Sequence, residues 1–490
     1  MVQKFQSIKY KSLSLDIISK NYNKKGFIIS TNIKEDEKFS KLKLPEEFLK
    51  NLESLGFDKM TEIQAKSLPS LLDEKDVIAQ AKTGSGKTVA FSIPIVQKLD
   101  VKRFRIQSIV LAPTRELANQ IAIEIRKLSR HIHNVKVLTL CGGVAYRPQV
   151  SSLFHGAHII VGTPGRILKH INEENINLNE VNTLVLDEAD KMLDMGFLED
   201  IGLIIDTLPK NRQSMLFSAT YQENIDNLAK FVTKNPLNVK NENEEKTIID
   251  QKLYETNQDA KTSIIPSLIS SNKAKSVIIF CNTKIQCDAL SDDLYDLGLD
   301  VLTLHSDLEQ KQRDETIIFF SNKSYPILIA TDVASRGLHI DDIDLVINYD
   351  LARDVETHTH RIGRTARAGK GGLAISLFTI DDEDKIEDLK ADFDNLQFER
   401  VEHLDDDLSY KIDSDYRTLF INGGKKQKVR AGDILGALTA GVGLAKDDIG
   451  KINSLDFCSY VAVKKEVVKK ALDGLSNGRI KGKYFKIYEK

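Results

Sequence analysis

Two short stretches hold the residues best suited to chemistry. Ala81-Lys82-Thr83-Gly84-Ser85-Gly86-Lys87-Thr88 follows the apolar run Val77-Ile78-Ala79, and Asp187-Glu188-Ala189-Asp190 follows Thr183-Leu184-Val185-Leu186. Glycines let backbone N–H groups approach phosphate oxygens, and a helix N-terminus adds a favourable field. Lys87 is placed to neutralise β- and γ-phosphates, and Thr88 to ligate Mg2+. Asp187, ending a strand, suits the same ion, and Glu188 beside it suits polarising an attacking water. Each stretch alone has a plain reading, a chance Gly-Lys-Thr turn or an acidic helix start. Together, in this order and each after an apolar run, they point to ATP hydrolysis. The strict phosphate-loop pattern wants glycine where Ala81 stands.

The elements that must position these residues are legible as buried runs. Ser108-Ile109-Val110-Leu111 leads into Pro113-Thr114-Arg115, and Met215-Leu216-Phe217 into Ser218-Ala219-Thr220. Runs of this kind separated by helical patterns predict a parallel, doubly wound α/β sheet with ligands at the carboxyl ends of its strands. The pattern restarts with Val277-Ile278-Ile279-Phe280, Ile327-Leu328-Ile329, Leu345-Val346-Ile347 and Ala374-Ile375-Ser376-Leu377. The polar stretch 241–246 reads as a linker, and the acidic stretch Glu402 to Asp415 precedes a basic tail. The expected division is an N-terminal extension of unassigned role (1–35), two α/β domains (36–240 and 247–400) and a tail domain (416–490).

Hydrophobic residues make up 41% and charged residues 29% of the 490, the balance of a soluble globular chain. No apolar run nears the ~20 residues of a membrane helix, and no signal-like N-terminal segment stands out, so the expectation is a cytoplasmic protein. Cys141, Cys281, Cys287 and Cys458 form no Cys-x-x-Cys pair and read as free thiols. His131 and His133 read as a surface pair rather than a metal site. Net charge is −2, yet residues 416–490 carry 16 Lys and Arg against 7 Asp and Glu. A basic module on an acidic body suits a polyanion partner or a solvated lysine-rich surface.

With these motifs in view the chain resembles the DEAD-box ATP-dependent RNA helicases from about residue 39 to 400. Phe39, Gly56-Phe57 and Thr61-Glu62-Ile63-Gln64 resemble the adenine-reading Q motif, with Met60 where the family usually has proline. Gln64 offers a donor and an acceptor to an adenine edge. Ala81 matches the family's own phosphate loop. Pro113, Thr114, Arg115, Gly142, Gly143, Thr163, Gly165 and Arg166 match its RNA-contacting motifs in the first domain, and Gln310, Arg313 and Thr331 those in the second. Ser218, Thr220, Asp332 and His360 match residues coupling hydrolysis to strand separation, and Gly337 an ATP contact. Arg364 and Arg367 match arginine fingers that stabilise charge on the transferring phosphoryl group. Because they lie in the opposite domain from Lys87, the resemblance implies RecA-like domains that close for hydrolysis. His339 stands where the family has aspartate, and retained but weakened ATP affinity is expected there.

In the tail, alternating strands (418–421, 459–463 and 484–487) and helices (near 431–440 and 464–475) suit a small α+β fold of the RNA-recognition-motif kind. Phe420 and Tyr460 occupy two stacking positions and Cys458 a third, and both rings suit a base-stacking or a core role equally. Lys425, Lys426, Lys428 and Arg430, with Arg479, Lys481 and Lys483, resemble the C-terminal domain of the DbpA subfamily. That resemblance implies binding to structured 23S ribosomal RNA and large-subunit precursors during ribosome assembly, with clustered cations on phosphates. The expected protein is a monomeric, ATP- and Mg2+-dependent RNA helicase. The rivals are an RNA clamp with negligible turnover, a DNA-directed translocase, and an RNA-degradation helicase whose tail binds proteins.

Overall fold

A computed structural model describes residues 38–81, 84–220, 223–240, 249–332, 343–365, 371–404 and 410–490. The expectations for residues 1–35 and 241–246, and for Lys82, Thr83, Gly337, His339 and Arg367, fall outside these residues.

The first sheet contains β1 (Val77–Gln80), β2 (Ser108–Leu111), β3 (Val137–Leu140), β4 (Ile159–Gly162), β5 (Thr183–Leu186), β6 (Gln213–Ser218) and β7 (Leu237–Lys240). Its order is β3-β4-β2-β5-β6-β1-β7, every pairing parallel. Alternate strand residues enter opposite cores. Val77, Val110, Val185 and Phe217 pack in one layer, and Ile78, Ile109, Leu184 and Leu216 in the other. Continuous apolar runs are therefore what a sheet covered on both faces requires.

The second sheet repeats the plan with β8 (Ile249–Glu255), β9 (Val277–Phe280), β10 (Val301–Leu304), β11 (Ile327–Ala330), β12 (Leu345–Asn348), β13 (Gly372–Phe378) and β14 (Leu396–Arg400). Its order is β10-β11-β9-β12-β13-β8-β14, again parallel throughout. Both are the RecA-like sheets expected.

The tail is a four-stranded antiparallel sheet, β15 (Tyr416–Ile421), β16 (Ile449–Ser454), β17 (Ser459–Lys464) and β18 (Ile487–Glu489), ordered β16-β17-β15-β18. Two details correct the sequence reading. β16 was not expected, and the last strand lies at 487–489 rather than 484–487. Gly450 explains the first. A Cβ there would sit 2.9 Å from the Tyr416 ring, and the β16 register shifts between Ile449 and Ile452, so the strand lacks clean alternation. Phe485 accounts for the second, because its ring lies against Gly423 and closes the loop ahead of the strand.

Among the described residues no helix is long and apolar enough to cross a membrane.

Candidate active site and RNA interface

Parallel strands send their following turns to one edge, and that edge gathers the chemistry of the first domain. The Ala81 N–H donates to the Ser218 carbonyl at 2.9 Å, joining the phosphate loop to the end of β6. Gly84 and Gly86 hold φ of +86° and +94°, where a side chain would be strained. A Cβ on Gly86 would also lie 2.4 Å from Gln64 Nε2. Lys87 opens the Lys87–Gln97 helix, with Thr88 half-buried beside it. Lys87 is 6% exposed and, among the described residues, its Nζ has no hydrogen-bond acceptor. A buried ammonium in that condition is costly until an anion arrives, and a phosphate is the anion such a loop admits.

Asp187 and Glu188 face this loop. Asp187 is 2% exposed, and burial pushes its carboxyl up to about 6 despite the nearby Lys87 charge. A desolvated carboxylate of this kind suits a divalent cation. Glu188 has φ of +54° at the start of the Ala189–Asp194 helix. Burial raises its carboxyl, but Lys191 and Lys87 outweigh that and hold it below the ordinary value. Lys191 Nζ lies 2.9 Å from Glu188 Oε2, with both side chains buried. Sequence reasoning missed Lys191. Its signal was the i,i+3 spacing on a helix that starts at Glu188.

The Q-motif residues sit against the loop they were expected to serve. Gln64 Oε1 accepts the Thr61 N–H at 2.9 Å, and Gln64 Nε2 donates to the Gly86 carbonyl at 3.0 Å. Each end of the amide uses one of its two hydrogen-bonding positions on the protein, leaving one donor and one acceptor position for a ligand edge. Phe39, expected at the nucleotide, lies in the core of the first domain. Its ring is 2% exposed, set edge-on to Phe57 in the first core, where burial holds it away from an open face.

Hydrogen bonds join Asp190 of the first domain to the second domain through Thr220. Asp190 Oδ2 accepts the N–H groups of Ala219 at 2.8 Å and Thr220 at 2.9 Å. Thr220 Oγ1 then reaches Glu356 Oε1 across the domains at 3.3 Å, and His360 Nε2 lies 3.6 Å from that same oxygen. Glu356 was another residue the sequence did not single out. Asp332 grips Arg361 with both oxygens, at 2.6 and 2.8 Å, and Arg361 in turn holds Asn282 Oδ1 at 2.7 Å. Arg364 is 6% exposed and its charge reaches Lys191, so it faces the Asp187–Asp190 segment from the opposite domain.

Cationic and helix-start residues line a second part of the interdomain edge. Thr114 caps the Arg115–Leu128 helix by accepting the Leu117 N–H, just after Pro113. Thr163 precedes the Pro164–Asn172 helix, whose first turn holds Gly165. Arg166 donates to the Val144 carbonyl at 3.2 Å, in the turn after Gly142 and Gly143. In the second domain Gln310 and Arg313 occupy the first turn of the Gln310–Ser321 helix, and Thr331 follows β11. The two sets meet. Arg115 pairs with Asp314 at 3.2 Å, and Arg313 with Glu116 at 3.7 Å. A Cβ on Gly143 would lie 3.2 Å from Gln310 Oε1.

The tail divides its expected RNA residues. Lys425, Lys426, Lys428, Arg430, Arg479, Lys481 and Lys483 are all exposed. Tyr460, expected among the RNA contacts with a core role equally open, is buried against the second domain. It is 1% exposed, its hydroxyl donates to Glu315 Oε1 at 2.8 Å, and its ring meets Phe319 edge-on at 5.9 Å. The aromatic face of the tail sheet is thus packed on the Gln310–Ser321 helix, with Phe420 and Cys458 at the margin. Thr418 adds buried hydrogen bonds to Asn322 at 2.8 Å and Ser324 at 2.6 Å.

The thiols are free, and no cluster of metal-ligating side chains occurs among the described residues. His131 stacks on Phe48 at 4.6 Å.

Comparison with known proteins agrees with this arrangement. Residues 61–228 match the DEAD/DEAH box helicase family, 260–369 the helicase conserved C-terminal domain, and 418–489 the DbpA RNA binding domain. The chain is 46% identical to the ATP-dependent RNA helicase DbpA of Escherichia coli strain K12, over 90% of this chain and 96% of that one. It is 34% identical to the Bacillus subtilis strain 168 protein of that name, over 92% and 98%. Among solved structures it resembles Saccharomyces cerevisiae Dbp5 bound to RNA and ADP BeF3, with a TM-score of 0.67 and 30% identity over 74% of this chain and 96% of that one. With both RecA-like domains, the Asp187–Asp190 motif and the tail module all matched in order, the chain belongs to the DEAD-box ATP-dependent RNA helicases of the DbpA type.

Proposed function

We propose that this helicase binds structured 23S ribosomal RNA through its tail and opens short neighbouring duplexes during assembly of the large ribosomal subunit, acting as a cytoplasmic monomer. The division into an extension (1–35), two helicase domains (36–240 and 247–400) and an RNA-binding tail (416–490) belongs to the same reading. The exposed cations of the tail, in a module similar to the DbpA RNA binding domain, carry the RNA-anchoring part, and the buried Lys87 of one domain with the buried Arg364 of the other supports the hydrolytic part. ATP phosphates received at Lys87 offset its burial, and Arg364, with Arg367 beside it in the sequence, stabilises charge that develops in transfer. Thr88 and Asp187 would hold Mg2+, which supplies charge neutralisation to the phosphates when bound. Glu188, oriented by Lys191, accepts a proton from the attacking water. Asp190, Thr220 and Glu356 then form the route by which loss of the γ-phosphate loosens the domain contact. The RNA strand lies across Arg115, Arg166, Gln310 and Arg313, contacts that read backbone rather than sequence.

Target choice rests with the exposed cations of the tail. The test uses the full chain and a variant with Lys425, Lys426 and Arg479 changed to Gln, measuring ATP turnover with a 23S fragment and with generic single-stranded RNA. Selective loss of the 23S stimulation supports the reading. Equal stimulation of both proteins by both RNAs would sink the ribosomal part of it.

A further inference from the structure

The Gln310–Ser321 helix buries Tyr460 on the aromatic face of the tail sheet, which takes that ring out of reach of a base. Among the described residues one aromatic stands out beside the cationic loop. Phe457 is 65% exposed at the tip of the turn between β16 and β17. The turn is closed by the Leu455 N–H on the Cys458 carbonyl at 2.8 Å. It is fastened to the Lys425–Gln427 turn by the N–H groups of Lys425 and Lys426, which donate to the Leu455 and Asp456 carbonyls, each at 2.8 Å. Gly424 lets the two backbones meet, since a Cβ there would lie 2.4 Å from the Leu455 carbonyl oxygen and 2.7 Å from that of Asp456. Phe457 is therefore presented on a fixed hairpin, with two exposed ammonium side chains springing from the adjoining turn.

The position of this turn adds a second reason. Charges of Glu315, Lys311 and Asp314 on the Gln310–Ser321 helix reach Cys458. The Asp456 charge reaches Arg126 on the first-domain helix that begins at Arg115. The turn is thus near the start of the helix that carries Gln310 and Arg313, and near the far end, at Arg126, of the helix that begins at Arg115.

We propose that the Leu455–Cys458 turn is an RNA subsite, in which Phe457 stacks an unpaired base while Lys425 and Lys426 hold the flanking phosphates, where the RNA passes from the tail to the core. This rests on the reading of the tail as an RNA-binding module and names the part of the RNA it takes. Stacking tolerates any base, whereas the two ammonium groups give a salt-dependent term. The site therefore selects a single-stranded junction rather than a sequence.

The test is a binding titration of the full chain with two fluorescein-labelled 23S hairpin fragments, one blunt and one with a single-stranded extension carrying 2-aminopurine. Phe457→Ala should weaken binding of the extended fragment about tenfold, within the range alanine substitution gives for a stacked base. It should abolish quenching of the 2-aminopurine and leave the blunt fragment unaffected, while Phe457→Tyr restores both signals. Lys425→Gln with Lys426→Gln should lower the salt slope of binding by about 2. If Phe457→Ala binds both fragments as the parent does while the lysine changes still weaken binding, the stacking subsite is wrong and the tail remains an RNA binder. If neither change alters binding, the subsite and the tail reading fall together.

Discussion

The hydroxyl of Tyr460 should hold the tail in place, and Tyr460→Phe isolates its contribution. The substitution keeps the ring against Phe319 and removes the 2.8 Å hydrogen bond to Glu315 together with the weak donation from Cys458 Sγ at 3.9 Å. Burial and the bond to Glu315 push the phenol well above its ordinary range, so it is a donor at every working pH. Hydrogen bonds to charged groups contribute about 1.5–3 kcal/mol. Glu315 keeps Lys490 at 3.5 Å and is 16% exposed, so the carboxylate is not stranded and the low end applies. A loss of about 1.5 kcal/mol enlarges the undocked population about 12-fold. The buried bonds of Thr418 to Asn322 and Ser324 remain, so docking is weakened rather than abolished. Single-molecule energy transfer between fluorophores at positions 292 and 473, both exposed, reports the docked fraction directly. Tyr460→Ala should exceed Tyr460→Phe, because it also deletes the ring packing. An undocked fraction in Tyr460→Phe within twofold of the parent would refute the assignment of the tail's hold to this bond.

Two further outcomes follow from the site and the second domain. Glu188→Gln should retain ATP and RNA binding but lower turnover by at least about a hundredfold, as loss of a general base does, and slow RNA release in a stopped-flow chase. Unchanged turnover would remove Glu188 from the role of base. His358 is 2% exposed with Nε2 2.9 Å from Gln251 Oε1, and burial, with Arg361 adding to it, lowers its imidazole to about 4. Its contribution to stability is full above the unfolded value of about 6.5 and is lost as pH falls through about 4. An NMR titration should show the ring neutral at pH 5.5, and protonation near 6.5 would contradict its burial.

How much could be read from the chain depended on what each residue reports locally. The phosphate loop, Asp187 and Glu188, and Ser218 to Thr220 follow strands that are apolar on both faces, and strand-plus-turn is a local pattern. The strands whose sequences mix small and polar residues, such as β16 with Gly450, hide because their packing partner is remote. Tyr460 was ambiguous for a stronger reason. An aromatic on an open sheet face has one sequence signature whether it meets a base, a core or another domain, and only the position of Glu315 and Phe319 decides. Lys191 and Glu356 carry no motif of their own, and their roles appear only once Glu188 and Thr220 are placed beside them.

The Gln310–Ser321 helix ties these parts together, because it is gripped at both ends. Its first turn carries Gln310 and Arg313 into the interdomain edge, where Arg313 lies 3.7 Å from Glu116. One turn further on, Glu315 takes the Tyr460 hydroxyl, and Asn322 just beyond the helix holds Thr418. A helix is stiff over this span of about 18 Å at 1.5 Å per residue. A displacement of the tail therefore moves the strand-contacting turn with it, rather than being absorbed by a loop. Docking through the sheet face also leaves Lys425 and Lys426 exposed. On the proposed function, tail-bound RNA and core-bound strand would then be held in a fixed relation, and the duplex opened would be the one at a set distance from the anchor. Tyr460→Phe should accordingly blur which neighbouring duplex is opened while leaving affinity for the anchoring RNA intact, a separation that weakened RNA binding alone would not produce.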